Sequence, residues 1–411
     1  MEQKNKKKIS TQTIIKLLLA VVRLLAGVMG FAAMPVTGRL FWRFEDKGWI
    51  FSKVLAIAAT GFLTWFLTAI RLIPFNALTC AAVTILCAVI CFFLLRKESK
   101  EKTECFPVDR ISLIYWEELL FFLAFLMWTY LAGFRPAAYG TEKFMDYGFM
   151  EAMMRSTTLP ARDLWYSEGH INYYYGGQYF AVFLTKLSHT KVELTYNLMR
   201  TFVAGLAFAM PFSLVYQMMS DRMKGLPFAA GFTAGTAVSI AGNMHYVIYA
   251  QIIPLIEKLT GKEVSSYWFP DATRYIGYNP YREEDRTIHE FPCYSFVLGD
   301  LHAHVVNIMF VLLVIALLYV WLRGVRKKTV PVETSMKDGK FWKEQLLMPH
   351  LLVISALLGM FQWTNFWDFV IYYVVTLGTV LFANIIRFQG KIKKIMVVTF
   401  AQMAEIYLLA Y

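Results

Sequence analysis

Long apolar stretches separated by short polar segments run through most of the chain. Ten of them approach the roughly 20 residues that an α-helix needs to cross a bilayer. Lys16 and Arg23 interrupt the first, and a charge at mid-bilayer costs about 3 kcal/mol or more. A further apolar stretch, 177–188, is too short to span and is predicted to lie as a helix at the membrane interface. The pattern therefore predicts an all-α polytopic membrane protein, with spans at 13–35, 50–70, 74–95, 113–133, 195–218, 226–243, 303–322, 346–362, 367–386 and 394–411.

Composition agrees with this fold class. Hydrophobic residues make up 57% and charged residues 17% of the 411 residues, whereas soluble domains are roughly 45–50% apolar and about 25% charged. These values exclude a disordered chain, a coiled coil and an ordinary water-soluble domain. The net charge of +12 is explained by Lys and Arg in cytoplasmic loops, so no nucleic-acid partner is needed. The five cysteines form no CxxC pair, which disfavours a zinc site and a disulfide framework.

Basic residues in the loops predict the orientation. One set of alternating loops holds 22 Lys and Arg, and the other side holds 16 in much longer loops. Short loops rich in Lys and Arg stay in the cytoplasm, and loop 323–345 is the strongest example. The long loops 134–194 and 244–302 are therefore predicted on the same, external side. This arrangement also puts the basic tail at 4–8 outside, unless segment 13–35 is interfacial and the tail stays inside.

The first long loop contains a pair of carboxylates. Glu142 and Asp146 are four residues apart, so a helix would place both on one face, with Lys143 beside them. A carboxylate just outside a membrane helix is suited to general-base catalysis or metal binding. The spacing alone favours a surface helix with ordinary solvated charges, because acidic pairs four residues apart are frequent.

The same loop carries three consecutive tyrosines, Tyr173, Tyr174 and Tyr175, after Asn172. A tyrosine combines an apolar ring with a hydrogen-bonding hydroxyl, which suits the stacking of a sugar. The same property places tyrosines in the aromatic belt at a membrane interface. Composition alone favours the belt.

The second long loop ends in a string of potential metal ligands. Asp300, His302 and His304 alternate, and an extended chain would point all three to one side. Two imidazoles and a carboxylate suit zinc or another divalent metal, and Glu290 is a candidate fourth ligand. The alternative is an aspartate at a helix start followed by two interfacial histidines. Arg274 lies in the same loop.

A short external segment precedes the ninth predicted span and contains Asn365, Trp367 and Asp368. An ionisable group at a membrane boundary is a candidate functional residue. Asp368 is also well placed to act as the N-cap of the following helix. The chain has no P-loop, GxGxxG or GxSxG element in a plausible context, which disfavours an ATPase, a Rossmann dehydrogenase and an α/β-hydrolase.

Together these segments resemble the YYY membrane proteins, uncharacterised polytopic proteins of bacteria and archaea. Five motifs carry the resemblance in order over roughly residues 20 to 390. The motif that begins at Pro160 departs from the family's usual double proline, because Ala161 stands where the second proline would be. Relatives continue beyond the position of Tyr411, so we expect a shortened relative or a fragment. The motifs are Glu142-Lys-Phe-Met-Asp146, Pro160…Asp163…Trp165, Asn172-Tyr-Tyr-Tyr-Gly176, Glu290-Phe-Pro…Gly299-Asp-Leu-His-Ala-His304 and Asn365-Phe-Trp-Asp368.

That family in turn looks like a remote relative of GT-C-type glycosyltransferases, which are multi-helix enzymes using polyprenyl-phosphate-linked sugars. The resemblance implies extra membrane helices over 1–112 and a GT-C-like module over 113–411. It also implies a multi-pass protein of the cell membrane, acting at the outer face. Its partners would be membrane lipid and a polyprenyl-phosphate sugar donor, with Mg, Mn or Zn as a possible cofactor.

The resemblance also implies roles for the candidate residues. Asp146, with Glu142 beside it, would be the base that activates the acceptor hydroxyl. Because Asp146 is expected in an exposed loop, Asp146→Asn would abolish activity with little change in melting temperature. The implied metal ligands are Glu290, Asp300, His302 and His304, and the implied substrate-binding residues are Lys143, Asn172, Tyr173, Tyr174, Tyr175, Arg274, Asn365, Trp367 and Asp368.

Two other functions remain open at this point. A lipid or solute carrier, or a scaffold, would need polar residues at mid-membrane, whereas here they concentrate at the ends of external loops. A metal-dependent membrane hydrolase would use the cluster from Asp300 to His304. The distribution of polar residues favours an enzyme.

Overall fold

The computed structural model describes residues 11–101, 105–140, 142–220, 222, 225–274, 276–278, 281–284, 286–327 and 336–411. Within these residues all extended regular elements are helical, which confirms the all-α class. The basic tail at 4–8 lies outside the described residues. The helices are α1 (Thr11–Leu40), α2 (Trp49–Ala69), α3 (Ala77–Glu101), α4 (Ile111–Ala132), α5 (Lys143–Arg155), α6 (Gly176–Leu187), α7 (Val192–Ser220), α8 (Pro227–Ser239), α9 (Ile253–Leu259), α10 (Pro292–Leu298), α11 (Ala303–Lys327), α12 (Gly339–Leu346), α13 (Pro349–Thr364), α14 (Phe366–Phe388) and α15 (Ile392–Ala410).

Six helices in the described part are long and apolar enough to cross a membrane, and seven if α12 and α13, bent by 51°, form one span. The protein is therefore a multi-pass membrane protein, but ten spans are not confirmed. The sixth predicted span forms α8, whose 13 residues rise only about 20 Å against a hydrocarbon core of about 30 Å. The tenth forms α15, which is interrupted by Lys393, Lys394 and Glu405.

The centre of the bundle is α7, which packs against α4, α8 and α11. Nearly all of this helix is buried inside the protein. One continuous apolar core extends from Ala26 on α1 to Ala410 on α15. The predicted N-terminal part, 1–112, contributes Phe51 and Ile57 to this core, so its helices pack directly with those that follow.

The helix predicted at the membrane interface is instead buried in the bundle. Its bounds agree with the prediction, but α6 is inaccessible to solvent and lipid from Gly176 to Phe183. A Cβ on Gly176 would overlap Trp363 and Thr364, and one on Gly177 would press on Ala303. The two glycines therefore allow the start of α6 to contact α11 and α13 closely. An apolar periodicity alone does not distinguish lipid from protein neighbours, which explains the error.

An apolar groove of about 510 Å³ lies between α1, α2, α3 and α13. Its lining includes Val28, Leu55, Phe62, Cys87 and Met360. One face of α3 packs on the bundle, while most of the helix is left exposed for lipid. The groove therefore lies within the membrane-spanning part of the protein.

Candidate functional site

The two long loops meet at one end of the bundle. The ring of His302, from the second loop, forms an ion pair with Asp146 of the first loop, with Nδ1 lying 2.9 Å from Asp146 Oδ2. Gln178 Nε2 joins them by donating to Asp146 Oδ1 at 2.7 Å and to the Leu301 carbonyl at 3.0 Å. These contacts confirm that both loops lie on the same side. We call Glu142, Asp146, Gln178, Asp300 and His302 the His302 cluster.

Asp146 is the buried centre of this cluster, with 1% of its surface exposed. It lies in the first turn of α5, while Glu142 precedes that helix and remains 66% exposed. The expectation that Asp146 is an exposed loop carboxylate is therefore wrong. Its Oδ1 accepts from Gln178 and its buried Oδ2 lies 2.9 Å from the charged ring of His302, and the more accessible carboxylate beside it is that of Glu142.

His302 is positively charged at neutral pH in this environment. Burial alone would lower its pKa, but the hydrogen bond and negative charge of Asp146 outweigh burial. With further contributions from Asp300 and Glu290, the pKa of His302 rises to about 9. Its Nε2 atom lies 3.7 Å from Asp300 Oδ2 and 3.9 Å from Glu142 Oε2. The ring therefore presents an imidazolium N–H between two carboxylates.

Two further cations lie beside the cluster, around the turn at Gly299. Gly299 ends α10 with a positive φ of 85°, and a Cβ there would overlap the guanidinium of Arg200. The ammonium of Lys143 lies near the same position. Burial lowers the pKa of Lys143, and the charge of Asp300 partly opposes this. A glycine is thus required by the backbone and by the close approach of these cations.

The four predicted metal ligands separate into two contacts. His302 Nε2 lies 3.7 Å from Asp300 Oδ2, with its Nδ1 against Asp146, whereas His304 Nε2 lies 3.1 Å from Glu290 Oε2. The same Glu290 oxygen accepts from Ser295. Burial would raise the pKa of Glu290, but the His304 contact lowers it. Within the described ranges no three His, Cys, Asp or Glu residues form a metal-binding group. The geometry therefore does not fit a single four-ligand centre, and metal binding stays a prediction.

The three tyrosines occupy different environments. Tyr175 is buried, and its hydroxyl accepts from Trp65 Nε1 at 2.8 Å. Tyr173 is 55% exposed and Tyr174 is partly exposed, with their rings 5.1 Å apart. Asn172 is exposed next to them. Only the first part of the motif is therefore available to a ligand, while Tyr175 packs the bundle.

Asp368 is held by a separate polar network, between the ends of α11, α13 and α14. Its Oδ2 accepts from Asn307 Nδ2 at 2.6 Å and from Asn365 Nδ2 at 2.9 Å. Thr364 in turn donates to Asn307 Oδ1. Asp368 lies in the first turn of α14, and the N-cap position belongs to Asn365. Asn307 lies in the second turn of α11, five residues after His302, so this network joins the starts of α11 and α14 near the His302 cluster.

The last two predicted residues lie on the periphery. The side chain of Trp367 is 67% exposed. Arg274 stacks over the ring of Trp268, with its guanidinium carbon 4.5 Å from the ring centroid. Neither the exposure of Trp367 nor the stacking of Arg274 links these residues to the His302 cluster, so their predicted binding roles stay predictions.

Three residues of the site escaped the sequence analysis. Gln178 and Arg200 lie in apolar segments that were assigned to an interfacial helix and a membrane span, and Asn307 lies in another span. Polar side chains in membrane helices are costly unless they find partners. A polar residue within an apolar segment could therefore have indicated a buried partner, and the charged Arg200 was the clearest case.

Comparison with known proteins supports the coarse assignment. A family model described as an uncharacterized membrane protein family, DUF2298, matches residues 59–410. The chain therefore belongs to this family. Comparison with curated proteins and with solved structures gave no match.

Proposed function

We propose that this DUF2298 membrane protein is a transferase acting on a phosphate-linked lipid at the outer membrane face. A polyprenyl-phosphate-linked sugar is the donor that fits the sequence resemblance. The observation that carries the proposal is the Asp146–His302 ion pair. At the end of the bundle where the two long loops meet, this pair lies beside the exposed carboxylate of Glu142 and the ammonium of Lys143.

The cations provide the binding site for the phosphate in this proposal. His302 Nε2–H donates to a phosphate oxygen, and Lys143 adds a second positive charge. Arg200, behind Gly299, increases the positive potential. Such preorganised donors stabilise the negative charge that develops on a leaving phosphate. Asp146 is then a positioning residue that keeps His302 charged and oriented.

Glu142 is the base in this scheme. The acceptor hydroxyl loses its proton to Glu142 as its oxygen bonds to the anomeric carbon of the sugar. The bond from that carbon to the phosphate oxygen breaks, and the polyprenyl phosphate leaves with the electron pair. Glu142 is suited to this role because its carboxylate is exposed, whereas Asp146 is enclosed.

The apolar groove supports a lipid-linked substrate. Its outer end is formed by Phe62 and Met360. Three residues further along each helix, Trp65 and Trp363 stack with their ring centroids 4.5 Å apart, and Trp65 donates to Tyr175. Its volume of about 510 Å³ and its apolar lining suit a hydrocarbon chain with its head directed to the tyrosine motif.

Transfer of a labelled sugar in reconstituted membranes tests the proposal, with a panel of polyprenyl-phosphate donors. Glu142→Gln should lower kcat by about 10²–10⁴-fold without a loss of folded protein, because its side chain is exposed. Glu168→Gln removes another exposed acid of the same loop and should leave the rate unchanged. Wild-type rates in Glu142→Gln would contradict the role of Glu142.

A carrier is the second candidate, because the same groove would hold a lipid in transit. Absence of turnover with every donor, from protein that binds a polyprenyl phosphate, would favour it. The predicted divalent metal is tested separately by the metal content of purified wild-type protein and His304→Ala. Equal metal content in both would contradict the metal site.

A further inference from the structure

A second polar cluster lies at the opposite end of the bundle, far from the His302 cluster. It contains Asp46, in the turn between α1 and α2, and Glu117, on α4. Both side chains are fully buried. Gln217 of α7 contacts Asp46, and it lies 17 residues from Arg200, which corresponds to about 25 Å along the helix.

Asp46 is well supplied with hydrogen-bond donors. Its Oδ2 accepts from the Trp49 amide at 2.9 Å and from Ser213 Oγ at 3.5 Å. Its Oδ1 accepts from Gln217 Nε2 at 2.9 Å. Gln217 is oriented by its own oxygen, which accepts from the Glu45 amide. These donors indicate that Asp46 is the ionised member of the pair.

Glu117 has the opposite environment. Both of its carboxyl oxygens are buried and have no hydrogen-bond donor in suitable geometry. Its polar neighbours are the carboxylate of Asp46 and the hydroxyl of Ser213. A buried ionised carboxylate without donors is very costly, and a second carboxylate beside it increases the cost.

The charged groups around the pair do not neutralise it. Lys53 attracts Glu117 at longer range, but its ammonium contacts the carboxylate of Glu118, which also accepts from Trp49. Arg110 contacts Glu45 at 3.2 Å. Tyr216 of α7 lies near the same charges. With Glu117 and Asp46 both ionised, this buried region would carry excess negative charge.

We propose that Asp46 and Glu117 hold one proton between them, as a buried proton-binding site that joins the α1–α2 turn to α4. The proton is carried by Glu117, whose O–H donates to Asp46. Burial raises the pKa of Asp46 to about 6, despite the backbone hydrogen bonds of Gly48 and Trp49 that lower it. A proton fits better than a metal ion, because Gln217 and Trp49 direct N–H groups at Asp46.

Infrared difference spectroscopy of the full chain in lipid tests the site. A protonated carboxylic acid gives a C=O stretching band that a carboxylate lacks. The spectrum of wild type minus Glu117→Gln at pH 7 should contain this band, and Asp46→Asn should shift it because the acceptor changes. Absence of the band, or its loss when Na⁺ is raised at constant pH, would overturn the proposal.

Thermal stability provides an independent comparison between adjacent residues. Glu117→Gln replaces a protonated carboxyl by a neutral amide, so its Tm at pH 7 should equal or exceed that of wild type. Glu118→Gln leaves the buried Lys53 without its carboxylate and should lower Tm by about 5 °C or more. An equal fall of Tm in both variants would show that Glu117 is needed as a charge, and would contradict the shared proton.

Discussion

Replacing Asp146 by asparagine removes the charge that holds His302 protonated. In the wild type, one Asp146 oxygen accepts from Gln178 and the other lies 2.9 Å from Nδ1 of His302. An asparagine fits the same space and retains one acceptor, so it changes charge more than shape. The main expected consequence is that the pKa of His302 falls from about 9 towards its ordinary value.

The pKa of His302 gives the size of this effect. A rise from 6.5 to about 9 corresponds to about 3 kcal/mol of stability. His302 is charged in both folded and unfolded protein below pH 6.5, so the stabilisation is complete there. It is lost as pH rises through about 9, where the folded protein also releases the proton. Asp300 and Glu290 contribute to the raised pKa, so about 3 kcal/mol is an upper bound for Asp146.

Melting followed by tryptophan fluorescence in detergent, from pH 6 to 9.5, measures the effect. Asp146→Asn should melt well below wild type at pH 6, and the difference should shrink as pH approaches 9.5. Glu168→Gln, which removes an exposed acid of the same loop, should follow wild type throughout. A difference between Asp146→Asn and wild type that is the same at every pH would refute the ion-pair reasoning.

Three further substitutions test the packing of the site, each followed by the midpoint of chemical unfolding in detergent. Gly299→Ala should destabilise the protein by about 2 kcal/mol or more, since the backbone there is left-handed and a Cβ meets a guanidinium; a midpoint within error of wild type would contradict this. Tyr175→Phe should lower the free energy of unfolding by about 1 kcal/mol, because the Trp65 indole N–H loses its acceptor. Tyr173→Phe changes an exposed residue and should leave the free energy of unfolding unchanged. Equal losses in the two variants would contradict the different environments of the two tyrosines. Asp368→Leu should cost about 2 kcal/mol, because the Asn307 amide loses its acceptor; unchanged stability would show that the network is dispensable.

The fold class followed from the sequence because long apolar runs in a membrane must satisfy their backbone hydrogen bonds internally, as helices. Helix bounds such as those of α6 and α14 agree with the predicted segments to within a few residues. The Lys and Arg distribution placed both long loops on one side, and the contact of His302 with Asp146 confirms it. The spacing of Glu142 and Asp146 predicted a shared helix face, and both carboxylates lie within 3.9 Å of His302.

The tertiary structure decided burial and pairing. It enclosed Asp146, left Glu142 exposed, and paired His304 with Glu290 instead of His302. It also recruited Gln178, whose amide reaches a carbonyl 123 residues away in the chain. Hydrophobic periodicity reports only that a side chain avoids water, and lipid and protein interior satisfy it equally. Which polar groups meet, and which charge or proton each then carries, depends on the packing of helices distant in sequence.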